Sequence, residues 1–262
     1  MALHKNFPKD KFAILEPEIR WFQADEALRE QGYEKLMPPF VSELRKKVKE
    51  WRDKNYEGAS QTSKALLNWW FKEEHTTFDA NGNSFSFRYY YAQREAVETV
   101  IWIYDVAKVR SKYDLLPFDS LGRVSPNMFD EDWLRLVIKM ATGSGKTKVM
   151  SLLLAWSYFH KLYETDSALS RNFLFITPNI IVLERIKTDF DGLKIFYQDP
   201  VLPDNGYEGR SWQDDFQVTL HLQDELTTIS TTGNIFLTNI HRVYEGDVRE
   251  PSLDDTDLTD YL

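Results

Sequence analysis

The chain has 262 residues, of which 42% are hydrophobic and 15% aromatic, so it can bury a substantial core and is not a disordered chain. Its formal net charge of -9 makes it a poor nonspecific binder of polyanions as a whole, although a local basic groove stays compatible with that charge. The absence of cysteine excludes disulfides, thiolate catalysis and cysteine zinc sites. The amino terminus is polar, and no apolar run approaches about 18 residues, which predicts a cytoplasmic protein without a membrane span.

Residues 1–75 are predicted to form a mostly helical N-terminal extension. Apolar residues recur at helical spacing from Val41 to Asp53, and a second helix is predicted from Ser63 to Lys72. The opposite face of the first helix is basic, which indicates either a solvated helix face, the commoner case, or a contact with DNA or a protein partner. The basic residues of that face are Arg45, Lys46, Lys47 and Lys49.

Residues 76–262 are predicted to form a single α/β domain. An Asn-Gly pair at positions 81 and 82 predicts a hairpin over residues 75–88. Beyond it, strands alternate with helices, which indicates a mostly parallel sheet with helices on both faces. The predicted strands cover 134–140, 173–177, 216–222 and 234–238, the predicted helices cover 92–109, 146–162 and 179–193, and a loop is predicted for 111–130.

A glycine loop lies between the strand predicted at 134–140 and the helix that follows it. Residues 140–147 read Met-Ala-Thr-Gly-Ser-Gly-Lys-Thr, close to the phosphate-loop pattern, with Met140 where the strict pattern has glycine. A strand before the loop and a helix after it are the context that such a loop requires. The alternative is a chance glycine turn at the start of a helix.

The residue types of this loop suit a nucleoside triphosphate and Mg²⁺. Gly143 and Gly145 allow the tight turn that aims backbone N–H groups at a phosphate, and the N-terminus of the helix adds its dipole. Lys146 can reach the β- and γ-phosphates, and the hydroxyl of Thr147 can ligate Mg²⁺. The predicted ATP-binding residues of the loop are Thr142, Gly143, Ser144, Gly145, Lys146 and Thr147, with Lys146 and Thr147 as the catalytic pair.

The spelling M-A-T-G-S-G-K-T resembles motif I of the superfamily 2 helicases, and other motifs appear in the same order as in that superfamily. Upstream, residues 88–96 (RYYYAQREA) place Gln93 where the resemblance implies an adenine-reading glutamine. A carboxamide can donate to N7 and accept from the exocyclic amine of adenine, and Tyr89 could stack on the base. The alternative for Gln93 is an ordinary residue at a helix start.

Two segments downstream resemble the motor motifs that contact nucleic acid. Residues 175–179 (FITPN) end a predicted strand, and the resemblance implies contacts from Thr177, Pro178 and Asn179. Residues 231–234 (TTGN) and 237–241 (LTNIH) resemble the next two motifs, with Thr238 and Asn239 leaving another strand. Ligands of open α/β sheets bind at the carboxyl ends of the strands. Taken alone, each segment would be a routine strand-to-helix turn.

Within the superfamily, the chain most resembles the Res subunit of type III restriction enzymes, a DEAD/DEAH-box relative. The extension contributes residues 36–40 (LMPPF), 56–63 (YEGASQTS) and 67–71 (LNWWF) to this resemblance. The resemblance implies a RecA-like P-loop NTPase fold, ATP and Mg²⁺ as ligands, and DNA-dependent ATP hydrolysis that drives translocation or strand separation. It also implies duplex DNA and a methyltransferase or specificity subunit as partners.

Several parts of a complete motor of this family are not found in the sequence. No apolar strand followed by Asp-Glu, as the family's DExH motif requires, comes after Asn239, and Asp224-Glu225 reads as a loop. The second RecA-like domain and the nuclease motif are also not found, so the first motor domain is expected to be incomplete at its C-terminal end. We therefore expect ATP binding with little or no turnover. The alternatives are a non-catalytic ATP-binding or interaction module and, against the order of the motifs, a small-molecule kinase.

Overall fold

The structure is a computed structural model, and it describes residues 10–13, 38–79, 81–125, 127, 133–204, 206–223 and 228–243. Its contacts divide the chain into two compact units. The first unit contains residues 1–171 and 194–216, and the second contains residues 172–193 and 217–262. The predicted boundary between an extension ending at residue 75 and a domain beginning at residue 76 stays a prediction, because a division of the chain by its contacts does not test it.

The first unit begins with two amphipathic helices, α1 (Val41–Asp53) and α2 (Gln61–Lys72). Both were predicted, and α2 begins two residues earlier than expected because Ser60 caps it by accepting a hydrogen bond from the Ser63 N–H at 3.1 Å. Their apolar faces are buried in the core of this unit. The buried side chains include Leu44, Val48 and Trp51 from α1 and Leu66, Leu67 and Trp70 from α2.

A hairpin and a third helix follow, as the sequence predicts. Strands β1 (His75–Phe78) and β2 (Ser84–Phe87) pair antiparallel, and the Asp79 carboxylate accepts hydrogen bonds from the backbone N–H groups of Asn81 and Asn83 in the turn. Helix α3 (Tyr91–Ile101) then continues as a π-helical turn over Trp102–Val106. The predicted loop at 111–130 contains a 3-10 helix, Lys112–Phe118, which the sequence analysis missed.

Helix α4 (Lys146–Tyr163) follows the glycine loop and packs within an aromatic cluster of the first unit. Phe159 lies at its centre, with ring centroids 4.8 Å from Trp212 and 5.8 Å from Phe216. These partners lie in the segment of residues 194–216. It forms α6 (Lys194–Tyr197), the short strands β4 (Gly206–Tyr207) and β5 (Arg210–Ser211), and α7 (Trp212–Asp215).

The strand predicted at 134–140, directly before the glycine loop, is wrong in this structure. These residues form no strand, and the side chain of Val137 is 91% exposed. The backbone N–H and C=O groups of a strand need hydrogen-bond partners on a neighbouring strand. In the described residues, no strand pairs with residues 134–140. The prediction failed because it was based on apolar composition alone, which does not show whether a strand is available to pair with this segment.

The second unit contains a three-stranded parallel sheet in the order β3-β7-β6. The strands are β3 (Asn172–Thr177), β6 (Thr219–Leu222) and β7 (Asn234–Asn239), which confirms three of the predicted strands, with β6 shorter than expected. Helix α5 (Ile180–Phe190) follows β3 and α8 (Ile240–Val243) follows β7. A 3-10 turn, Asp191–Leu193, ends the α5 segment.

Only one face of this sheet has a helix packed on it within the described part of the second unit. On that face the Phe175 ring lies 5.3 Å from Phe190 of α5, and Ile235 and Leu237 are buried. On the opposite face Leu174 is 62% exposed and Ile176 is 43% exposed. The prediction of a mostly parallel sheet is therefore confirmed, whereas helices on both faces are not seen among the described residues.

Candidate nucleotide and nucleic-acid sites

The glycine loop adopts a backbone conformation that favours glycine at two positions. Gly143 and Gly145 have φ values of 78° and 80°, and Gly145 is the left-handed residue from which α4 begins. A side chain at either position would strain the backbone, because the left-handed region brings Cβ close to the backbone. The two glycines named in the sequence analysis therefore shape this loop.

Polar groups of the loop bond to the carbonyls of the same loop. The ammonium of Lys146 donates to the carbonyl oxygens of Met140 and Ala141, each at 3.0 Å. The hydroxyl of Ser144 donates to the Ala141 carbonyl at 2.6 Å. Lys146 is exposed and Thr147 is half-buried, so both remain accessible from solvent. The loop thus gathers a cation, hydroxyls and a helix N-terminus in one place, which fits a phosphate group.

Gln93 contacts the loop even though 51 residues separate it from Ser144 in the sequence. Its side chain is buried in the first turn of α3, where Oε1 accepts from the Tyr90 backbone N–H at 2.9 Å. Its Nε2 donates to the Ser144 carbonyl at 3.1 Å. A Cβ built on Gly145 would lie 2.2 Å from this Nε2, so Gln93 occupies the space that a larger residue would need. The structure therefore brings Gln93 together with the predicted phosphate loop.

Tyr89 does not present a free stacking face, contrary to its suggested contact with a base. Its ring is buried edge-to-face against Phe71 and Phe87, with centroids 5.8 and 4.9 Å away. Burial raises the pKa of its hydroxyl, which has no hydrogen-bond partner among the described residues. Tyr90 and Tyr91 are both half-buried, so among the tyrosines of this motif only Tyr89 belongs to the core, where Phe71 and Phe87 enclose it.

Tyr90, the next residue, is half-buried, and it has an aromatic and a cationic neighbour that the sequence analysis missed. Its ring centroid lies 5.6 Å from that of Phe12, and the Lys11 ammonium lies 4.8 Å from the Tyr90 centroid. The Lys11 carbonyl also accepts a hydrogen bond from the Tyr91 N–H at 3.1 Å. No local sequence signal links residues so far apart, so only the structure could place Phe12 beside this motif.

The residues predicted to contact nucleic acid lie together at the carboxyl ends of β3 and β7 in the second unit. In the parallel register Thr177 lies opposite Asn239, and the Thr177 hydroxyl donates to the Thr238 carbonyl at 3.2 Å. Thr177 and Asn239 are buried, whereas Pro178 and Asn179 are exposed and Thr238 is half-buried. A ligand at this edge would therefore meet the exposed and half-buried members of the set first.

The two asparagines of this set also have local structural roles. The Asn179 side chain accepts from the Val182 N–H at 2.9 Å and caps α5, and the Asn239 side chain accepts from the His241 N–H at 2.9 Å. Gln223, which the sequence analysis did not single out, accepts from the Thr238 hydroxyl at 3.3 Å and from the Asn239 N–H at 2.9 Å. Asp224 and Glu225, read as a loop, lie outside the described residues, as do the acidic residues 252–262.

The basic face of α1 forms ion pairs with carboxylates of the same unit. Arg45 Nε lies 3.5 Å from a Glu95 carboxylate oxygen, and Lys47 Nζ lies 3.8 and 3.9 Å from those of Glu43 and Glu50. These pairs favour the solvated-face interpretation for Arg45 and Lys47.

Among the described residues there is no group of three or more His, Asp or Glu side chains that could hold a metal ion. Likewise, none of the helices in the described part of the chain is long and apolar enough to cross a membrane.

Comparison with protein families identifies the class of this chain. A family model described as "Type III restriction enzyme, res subunit" matches residues 86–262, and this domain is a P-loop ATP-binding motor module of the DEAD/DEAH-box helicase family. The chain therefore belongs to the type III restriction enzyme res subunit family. No curated protein and no solved structure gave a significant match.

Proposed function

We propose that this chain binds Mg·ATP at residues 142–147 as the first RecA-like motor lobe of a DNA translocase. The observation that carries the proposal is the left-handed conformation of Gly143 and Gly145 before α4. In addition, the Lys146 ammonium donates to the carbonyls of the same loop. Phosphate oxygens can replace those carbonyls as acceptors for the lysine. Membership of a helicase family supports the same assignment.

Each residue of the loop has a distinct role in this proposal. Lys146 neutralises charge on the β- and γ-phosphates, and the backbone N–H groups of residues 143–147 bind phosphate oxygens. The Thr147 hydroxyl holds Mg²⁺, which when bound supplies further positive charge to the phosphates. Thr142 and Ser144 complete the polar wall of the loop. These roles need no rearrangement of α4, because Lys146 and Thr147 already lie in its first turn.

Gln93 is proposed to read adenine while it holds the loop. One Nε2 hydrogen donates to the Ser144 carbonyl, and Oε1 accepts one bond from Tyr90. A carboxamide has two N–H hydrogens and two lone pairs, so a second donor and a second acceptor site exist on the same group. The half-buried ring of Tyr90, with Phe12 beside it, replaces Tyr89 as the aromatic surface proposed to stack on the base.

DNA is the proposed ligand of the second unit. Thr177, Pro178, Asn179, Thr238 and Asn239 lie at the carboxyl ends of parallel strands, where hydroxyls, amides and the N-terminus of α5 suit backbone phosphates. Duplex DNA and a methyltransferase or specificity subunit are the partners that family membership favours. The parent activity of the family, DNA-dependent ATP hydrolysis, would drive movement along the duplex, whereas little or no turnover is expected from this chain alone.

The experiment is calorimetric titration with Mg·ATP, followed by measurement of ATP turnover with and without duplex DNA. Lys146→Ala should abolish binding, because it removes the only side-chain cation of the 140–147 loop. Lys161→Ala is the matched control, since Lys161 lies on the same helix roughly 22 Å from Lys146 at 1.5 Å per residue and donates to the Ser167 carbonyl.

The outcomes separate the candidate functions. Unchanged affinity of Lys146→Ala for Mg·ATP would refute the phosphate-loop assignment. Binding with DNA-stimulated turnover would support the translocase. Binding without turnover is the outcome expected from a motor lobe without a DExH motif, and the effect of duplex DNA on ATP affinity then separates the candidates. A change in that affinity would support the motor lobe, whereas no effect of DNA would support a non-catalytic ATP-binding module.

A further inference from the structure

A fully buried carboxylate, to which no role has been assigned so far, lies in α3. Glu98 has no solvent exposure. Its Oε2 accepts from two nitrogens of Arg52, Nε at 2.8 Å and a terminal nitrogen at 2.5 Å. Its Oε1 accepts from the Tyr56 hydroxyl at 2.7 Å and from Arg94 Nε at 2.8 Å. Four hydrogen bonds therefore fix this one side chain.

The donors to Glu98 come from separate parts of the first unit. Arg52 belongs to α1 and Tyr56 to the turn that follows it, whereas Arg94 lies one turn before Glu98 on α3. Arg94 also donates to the Tyr56 hydroxyl at 3.1 Å, which closes the network. Burial and then the neighbouring Glu98 raise the pKa of Tyr56, so its hydroxyl keeps the proton that it donates. The network thus joins α1 to α3 through charge-assisted bonds to a fully buried carboxylate.

The same helix carries Gln93, whose amide bonds to the phosphate loop. Gln93 and Glu98 are five residues apart, which is about 7.5 Å along the helix axis. Because a hydrogen bond weakens steeply when its length or angle departs from the optimum, a small rotation or shift of α3 would break the contact between Gln93 and the Ser144 carbonyl. The bond between Gln93 and Ser144 therefore links α3 to the loop.

We propose that Glu98 is a positioning residue for the nucleotide site: its bonds to Arg52 and Tyr56 hold α3 so that Gln93 can hold the phosphate loop. In this proposal the N-terminal extension contributes to ATP binding, because Arg52 and Tyr56 belong to it. This inference rests on the proposed function for its effect on nucleotide affinity. Its effect on the loop itself does not depend on any nucleotide.

The principal test compares Glu98→Gln with Glu95→Gln, a matched control on the same helix whose carboxylate lies 3.5 Å from Arg45. Both variants are titrated with Mg·ATP and Mg·GTP at a temperature where their far-ultraviolet circular dichroism is that of the wild type. Glu98→Gln should weaken ATP binding by about tenfold, the factor that corresponds to the loss of one hydrogen bond such as that between Gln93 and the Ser144 carbonyl. Glu95→Gln should stay within about twofold, because the 3.5 Å pair of Glu95 with the partly exposed Arg45 is weaker than the four hydrogen bonds of Glu98.

The ratio of ATP to GTP affinity distinguishes positioning from general destabilisation. If Glu98 acts through Gln93, the preference for ATP should fall in Glu98→Gln as is expected for Gln93→Ala. If Glu98→Gln does not fold, Arg52→Lys takes its place, because lysine keeps the positive charge but not the paired donors of the guanidinium. Unchanged affinities and an unchanged ratio in a folded variant would overturn the proposal.

Hydrogen exchange in the nucleotide-free protein separates this proposal from the proposed function. Amides of residues 143–147 should exchange faster in Glu98→Gln and in Arg52→Lys than in the wild type or in Glu95→Gln. A wild-type chain that binds no Mg·ATP would refute the proposed function, whereas the exchange rates would still test the role of Glu98. Equal exchange rates in all four proteins would overturn it.

Discussion

Substitution of Gly145 by alanine tests how the phosphate loop and Gln93 depend on each other. The new Cβ would lie 2.2 Å from the Gln93 Nε2, so the amide must move away. That movement breaks the bond to the Ser144 carbonyl and disturbs the bond to the Tyr90 N–H. In addition, alanine must adopt a φ of 80°, which is unfavourable for any residue with a Cβ.

Gly143→Ala is the matched control because it shares the backbone cost without the collision. Gly143 has a φ of 78°, and a Cβ there would meet nothing within 4 Å. The left-handed conformation costs about 1–2 kcal/mol in either variant. Loss of two hydrogen bonds adds about 1–3 kcal/mol in Gly145→Ala alone. Gly145→Ala should therefore bind Mg·ATP about 5- to 150-fold more weakly than Gly143→Ala.

Isothermal titration calorimetry of the two variants with Mg·ATP measures this difference directly. In a Gln93→Ala background the amide that would clash with the new Cβ is absent. Gly145→Ala should therefore reduce the affinity for Mg·ATP no more than Gly143→Ala does in that background. Equal affinities of Gly145→Ala and Gly143→Ala in the wild-type background would refute the reasoning, because they would mean that Gln93 does not occupy the space beside the loop.

Two further predictions concern buried polar groups. Although burial raises the pKa of Asp105, hydrogen bonds from His160, Ser63 and Ser60 outweigh it and hold that pKa below its usual range. The folded-state pKa is thus lower than the unfolded value of about 3.9, so the carboxylate stabilises the fold above that pH and this contribution is lost as the pH falls. Asp105→Asn should reduce the free energy of unfolding in urea at pH 7, and the difference from the wild type should shrink on acidification; a constant difference would contradict this. Tyr89→Phe should leave that free energy within about 1 kcal/mol of the wild type, since a hydroxyl without a partner contributes little, and should leave ATP affinity unchanged; weaker ATP binding would restore Tyr89 to the nucleotide site.

The sequence predicted the elements whose formation depends on nearby residues. Helix α1 was predicted with its exact bounds, because its apolar spacing and its start and end are local features. The glycine loop was predicted for the same reason, since two glycines before a helix are needed for a turn with left-handed residues. Strands β3 and β7 were predicted from their short apolar runs, and the parallel register then placed Thr177 opposite Asn239.

The sequence predicted poorly wherever distant residues decide the outcome. Residues 134–140 have the composition of a buried strand, but no strand among the described residues pairs with them. Tyr89 and Tyr90 are adjacent and chemically identical, and yet only Tyr89 is buried, because Phe71 and Phe87 enclose it. Nothing in the pattern around Glu98 shows that it is buried.

By itself the sequence determined the local chemistry of this protein: a phosphate-type loop, the helix that follows it, and the order of motifs that resembles a helicase. Only the tertiary structure decided which distant groups meet, namely Gln93 with Ser144, Phe12 with Tyr90, and Glu98 with Arg52. The physical reason is that helices and turns are specified by neighbours within a few residues. Contacts between elements depend instead on how their faces pack, and this packing is not encoded in the spacing of any one segment.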